Sequence, residues 1–172
     1  MTIDEYKRIM TESYLAQQFA QQKFDSFEYS DEDIKNYYQE NKNSFDLVDY
    51  RYFFFSSAPE NSNASQEEID NAKTNSKSLA EIMQSAITDE QSFIKLSLQN
   101  AKEDQKELYE DDDYTLREGS TYSSVPDEDM AEWLFDENRS TGDTTIIESD
   151  TGYFVVYMVA RYRNDYSTVN VR

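Results

Sequence analysis

The side chains in this sequence best equipped for chemistry are its carboxylates, and two runs stand out: Glu110 to Asp113 and Asp127 to Asp129. By type they could form a hydrolytic pair or a calcium site. Their spacing supports neither. No Asp-x-Asp-x-Asp-Gly loop with a Glu at its twelfth position occurs. With 36 acidic against 16 basic residues, a carboxylate run is first of all a solvated face. His and Cys are both absent, which removes imidazole acid–base chemistry, thiol nucleophiles, disulfides and the usual zinc ligands. The serines have no His partner, and three glycines do not make a phosphate-cradling loop. No metal or cofactor is expected. A site in this chain has to work through shape, apolar contact and hydroxyls.

The elements that would position such a site are bounded by length. A chain of 172 residues holds one core of about 100–150 residues plus an appendage. Although 30% of residues are charged, 14 Tyr and 10 Phe supply the apolar area for that core. The net charge of -20 repels nucleic acid and anionic membrane surfaces, so a nucleic-acid partner is not expected. No run approaches the roughly 20 apolar residues of a membrane span, so membrane insertion is not expected either. A Cys-free, acidic, Asn/Ser/Tyr-rich composition suits an exported, extracytoplasmic protein. The opening Met-Thr-Ile-Asp-Glu-Tyr has neither the basic nor the apolar region of a signal peptide, so export would make this chain a piece of a longer one.

Apolar residues at Ile3, Tyr6, Ile9, Met10, Leu15, Phe19, Ala20 and Phe24, after a Thr2/Glu5 capping box, predict a long amphipathic helix over residues 2–27. Ser30 and the acidic turn that follows cap a second helix, ending near residues 41–43. Residues 1–45 are thus expected to form a helical arm. The run Val48 to Phe55 predicts a central strand, too apolar to have a wet face. A Ser65/Glu68 capping box opens a long helix with Ala72, Leu79, Ile82, Met83, Ala86 and Ile87 on one side, and a shorter helix with Phe93, Leu96 and Leu98 follows. Residues 102–113 are expected as an acidic surface loop. Beyond it come a strand near Tyr114 to Leu116, a Pro126-led helix through Phe135, and strands Thr144 to Ile147 and Tyr153 to Val159 joined by a turn at Thr151-Gly152. The order β-α-α-β-α-β-β, ending in a hairpin, implies an α+β domain over residues 46–164.

That order resembles the parvulin, or PpiC-type, family of peptidyl-prolyl isomerases. Residues 30–41, from Ser30-Asp31-Glu32-Asp33 to Asn41, resemble the helix leading into the isomerase domain of exported parvulin foldases. Asp127 to Phe135, Thr141-Gly142-Asp143 and Ser149 to Tyr153 resemble the family's C-terminal helix, Gly-acidic turn and last hairpin. Residues 2–27 look like the tail of the helical chaperone region that such foldases carry. Val169 to Arg172 are similar to the opening of a further parvulin strand, so residues 165–172 are expected as a linker or as the first strand of a following module.

The resemblance implies a site and also its alteration. The family places one His in strand one and another in the last strand, and here those positions hold Tyr52 and Phe154. The Gly-Gly-Asp-Leu-Gly signature is missing, with Asp113 to Leu116 roughly in its place. Hydroxyls beside the second His persist as Ser149 and Thr151, while Met130, Phe135 and Phe154 fit an apolar proline pocket. Prolyl isomerisation crosses a barrier of ~18–20 kcal/mol with no covalent step, and is accelerated by binding the twisted amide better than the planar forms. The implied function is a folding factor that binds unfolded or proline-containing polypeptide clients, with isomerase activity reduced or lost. An active isomerase using the Tyr52 hydroxyl, and a non-catalytic structural module that dimerises through the arm, are the alternatives. The bland reading of Tyr52 and Phe154 is two aromatics packed on each other as core.

Overall fold

The computed structural model describes residues 2–27, 29–59, 61 and 63–163. Helix α1 (Ile3–Asp25) opens through the expected capping box: Thr2 Oγ1 accepts from Glu5 N at 3.2 Å, and Glu5 Oε2 accepts from Thr2 N at 2.7 Å. None of its side chains is buried. Helix α2 (Asp31–Glu40) uses the same device at Ser30 and Asp33, and a short α3 (Lys42–Phe45) follows. These two are tied to what comes next. Tyr38 is buried and donates its hydroxyl to Asp46 at 2.8 Å, while Lys42 Nζ reaches Glu137 Oε1 at 2.5 Å.

Four strands form one antiparallel sheet: β1 (Leu47–Ser56), β2 (Leu116–Ser120), β3 (Thr144–Ser149) and β4 (Gly152–Tyr162), in the order β2-β1-β4-β3. β1 is an interior strand, as its apolar run predicts. The strand period of two sends Tyr50, Tyr52 and Phe54 to one face and Phe53 and Phe55 to the other. Helices α4 (Gln66–Ala86) and α5 (Glu90–Asn100) cover the second face, packing Ala80, Met83 and Phe93 on Phe53, Phe55 and Val155. Helix α7 (Glu128–Phe135) covers the first, bringing Met130, Leu134 and Phe135 onto Val48, Tyr50, Val156 and Met158. Two cores therefore share β1 and β4, giving the α+β, parvulin-like layering expected.

Four local expectations are corrected. The buried line of α4 is Ser76, Ala80 and Met83, at the i, i+4, i+7 spacing of one helix face; Ile82, expected inward, is 64% exposed because it lies on the flank of that line. β2 begins at Leu116 instead of Tyr114. The buried Arg51 takes Asp112 O at 2.5 Å and Thr115 Oγ1 at 3.0 Å, so the chain up to Thr115 is held as a turn before it can pair. The stretch 102–113 contains a short helix α6 (Lys106–Tyr109), whose Tyr109 ring packs 5.3 Å from Phe53. Helix α7 is capped by Asp127, whose Oδ1 accepts from Met130 N at 3.0 Å, so Pro126 precedes the cap and does not lead the helix.

The β3–β4 hairpin turns on two residues, Asp150 and Thr151, with Ser149 opposite Gly152. Gly152 is required by proximity: a Cβ there would stand 2.1 Å from Phe55 O. The residues 165–172 expected as a linker or strand lie outside the described residues.

Candidate functional site

The positions where the resemblance calls for histidines are brought together. Phe154 pairs directly with Phe54 across the β1–β4 ladder, and Tyr52 is their diagonal neighbour on the same face. The Tyr52 and Phe154 rings meet edge to face at 5.7 Å, and Phe54 lies 4.6 Å from Phe154. All three are half-buried, so they form an aromatic floor with an open side. Beneath it, Tyr50 is fully enclosed and stacks on Tyr52 at 6.2 Å. Burial pushes the Tyr50 phenol up to about 12, so it stays neutral and serves as packing.

Arg117, on β2, is the cation of this floor. Its guanidinium lies 4.9 Å from the centre of the Tyr52 ring, and Nη2 donates to Tyr52 Oη at 3.3 Å. Nη1 donates to Tyr114 O and Leu116 O at 3.0 and 2.7 Å, which fixes the fork in place. The Tyr52 hydroxyl is thereby oriented, with its own proton left to donate.

The remaining expected residues divide. Ser149, Thr151 and Phe154 line one depression of about 440 Å³ between the β3–β4 turn and the start of α7. The Ser149 hydroxyl is engaged there, donating to Gly152 O at 3.1 Å, whereas Thr151 is exposed. Asp127, Asp129, Glu148 and Asp150 stand around the same depression. Glu148 accepts from Lys73 at 2.7 Å, which holds its carboxyl below the usual range. Met130 and Phe135, expected against the proline ring, are 0% and 8% exposed. They support the floor from below, Met130 fully enclosed and Phe135 nearly so. The half-open groups beside Tyr52 are Phe54, which strand alternation from Tyr52 could have found, and Arg117, which the misplaced β2 concealed. Among the described residues, no group of three or more carboxylates converges closely enough to hold a metal ion.

An antiparallel four-stranded sheet carrying two helices on one face and a short helix on the other has the layering of the parvulin class of α+β domain. The chain matches the family model of the PPIC-type PPIASE domain over residues 29–168, most of its length, and belongs to that peptidyl-prolyl isomerase family. No curated protein matches it.

Proposed function

We propose that this domain is a parvulin-type folding factor whose aromatic floor holds proline-containing segments of unfolded polypeptides, with isomerase activity well below that of a histidine-bearing member. The observation that carries this reading is the Tyr52–Phe154 contact at 5.7 Å, half-open to solvent, at the two positions where the resemblance expects imidazoles. A proline ring is apolar and stacks well on aromatic faces, so Phe54 and Phe154 supply binding. The imidazole pair that would polarise the surroundings of the twisting amide is gone, and only one oriented hydroxyl replaces it. Clients are unfolded exported chains, and the setting is extracytoplasmic, in keeping with the absence of cysteine and the net charge of -20.

The test is a protease-coupled isomerisation assay on a proline tetrapeptide, run beside suppression of aggregation of a reduced, unfolded test protein. Suppression with slow or undetectable isomerisation supports the reading. Isomerisation at the rate of a histidine-bearing parvulin would overturn it in favour of an active enzyme built on Tyr52, a reading that the Arg117–Tyr52 hydrogen bond favours. Neither activity would leave a structural module.

A further inference from the structure

β1 is paired along only part of its length on the β2 side. β2 meets Val48, Tyr50 and Arg51, and the last bond across that seam runs from Tyr52 N to Thr115 O at 3.3 Å. On the other side β1 pairs with β4 through Ser56. In an antiparallel strand the N–H and C=O of one residue point to the same side, and successive residues alternate. Since Tyr52 N points toward β2, the backbone groups of Phe54 and Ser56 point the same way. An independent bond agrees: Ser57 N donates to Thr151 O, toward β4, which places the odd-numbered residues on that side. Phe54 N–H, Phe54 C=O and Ser56 N–H therefore face outward past the end of β2, and among the described residues no hydrogen bond is made to them.

A groove of about 360 Å³ lies against this stretch, lined by Phe53 to Ser56 along β1 and by groups from α4, the end of α5 and the α6 segment. Its walls combine apolar surface from Leu79 and Tyr109 with the amides of Asn75, Asn100 and Gln105. The outer edges of β2 and β3 are ordinary sheet edges; this one opens at the C-terminal end of an interior strand, with walls beside it.

We propose that the Phe54–Ser56 edge binds an extended segment of another polypeptide as an added β-strand, a capacity separate from the aromatic floor and independent of isomerisation. The unpaired groups call for a backbone partner, because only a strand offers donor and acceptor at matching intervals. The walled setting favours one strand, about 4.8 Å from β1, over the edge of a second folded copy. Alternate side chains of the guest point into the groove and over the Phe54–Phe154 floor. A guest proline cannot occupy a position whose N–H must donate to β1, so the edge takes proline-free stretches while the floor takes the proline.

The test leaves the protein unaltered. The probe is a proline-free heptapeptide alternating valine and threonine about a central tyrosine, with two versions N-methylated on opposite alternations. In the free domain the Phe54 and Ser56 amides exchange with deuterium faster than those of Phe53 and Phe55, and saturating peptide protects them. One N-methylated version binds like the parent, and the other binds about tenfold or more weaker. The proposal is overturned if no peptide binds at millimolar concentration, if Phe54 stays unprotected at saturation, or if both methylated versions bind alike. Protection that grows with protein concentration in the absence of peptide would also overturn it, in favour of pairing between two copies.

Discussion

Arg117 Nη2 lies 3.3 Å from Tyr52 Oη, so the phenol where the resemblance expects the strand-one histidine is an oriented group and not a free rotor. Removing the hydroxyl while keeping the ring separates chemistry from binding. Tyr52→Phe is expected to lower any residual kcat/KM on a proline peptide by about tenfold while leaving the Kd of that peptide within twofold. Arg117→Met should follow it, because the phenol loses its orientation. A fall in binding with unchanged kcat in both variants would assign the pair to packing.

The 5.7 Å between the Tyr52 and Phe154 rings places two imidazoles within reach of one another if both are exchanged. The double variant Tyr52→His, Phe154→His is expected to raise isomerase kcat/KM by about tenfold or more over the natural sequence. Near-ultraviolet circular dichroism checks that the floor remains packed. An inactive, natively folded double variant would place the deficit elsewhere in the site.

Gly152→Ala tests how closely the hairpin approaches β1. A Cβ at 2.1 Å from Phe55 O cannot be accommodated by side-chain rotation, since the obstacle is backbone. Overpacking of this kind typically costs about 1–3 kcal/mol. A urea titration should show that loss in midpoint, accompanied by weakened peptide binding, because Phe154 is two residues away on the same strand.

Tyr50 makes the domain sensitive to alkali. Its phenol ionises near 10 when unfolded and at about 12 when folded, so the folded state favours the neutral form. The stabilisation is fully present below pH 10 and is lost as pH rises through 12, at a limiting slope of about 1.4 kcal/mol per pH unit. Tyr50→Phe should flatten the decline of stability between those pH values in urea titrations. An unchanged decline would assign it to other tyrosines.

The sequence was most legible where a local rule was strong. Reciprocal caps at Thr2, Ser30 and Ser65 placed three helix starts, and the unbroken run to Phe55 placed the interior strand. Motif resemblance singled out Tyr52 and Phe154 together, and their rings touch diagonally across the β1–β4 ladder. What was hidden depends on long-range bonds. β2 carries the polar sequence Leu-Arg-Glu-Gly-Ser, with no alternation to mark it, and its start is set by Arg51 reaching Asp112 and Thr115. That displacement also hid Arg117. The depth of Met130 follows from α7 lying directly on the sheet, which helical spacing alone does not reveal.

The ladder that joins β1 to β4 ties Leu47 to Tyr162 and Ser56 to Gly152, partners roughly a hundred residues apart along the chain. Loop closure over that distance is slow, and no shorter-range contact can create the aromatic floor in its absence. A nascent chain therefore has helices before it has the aromatic floor, which is assembled only after β4 has been made.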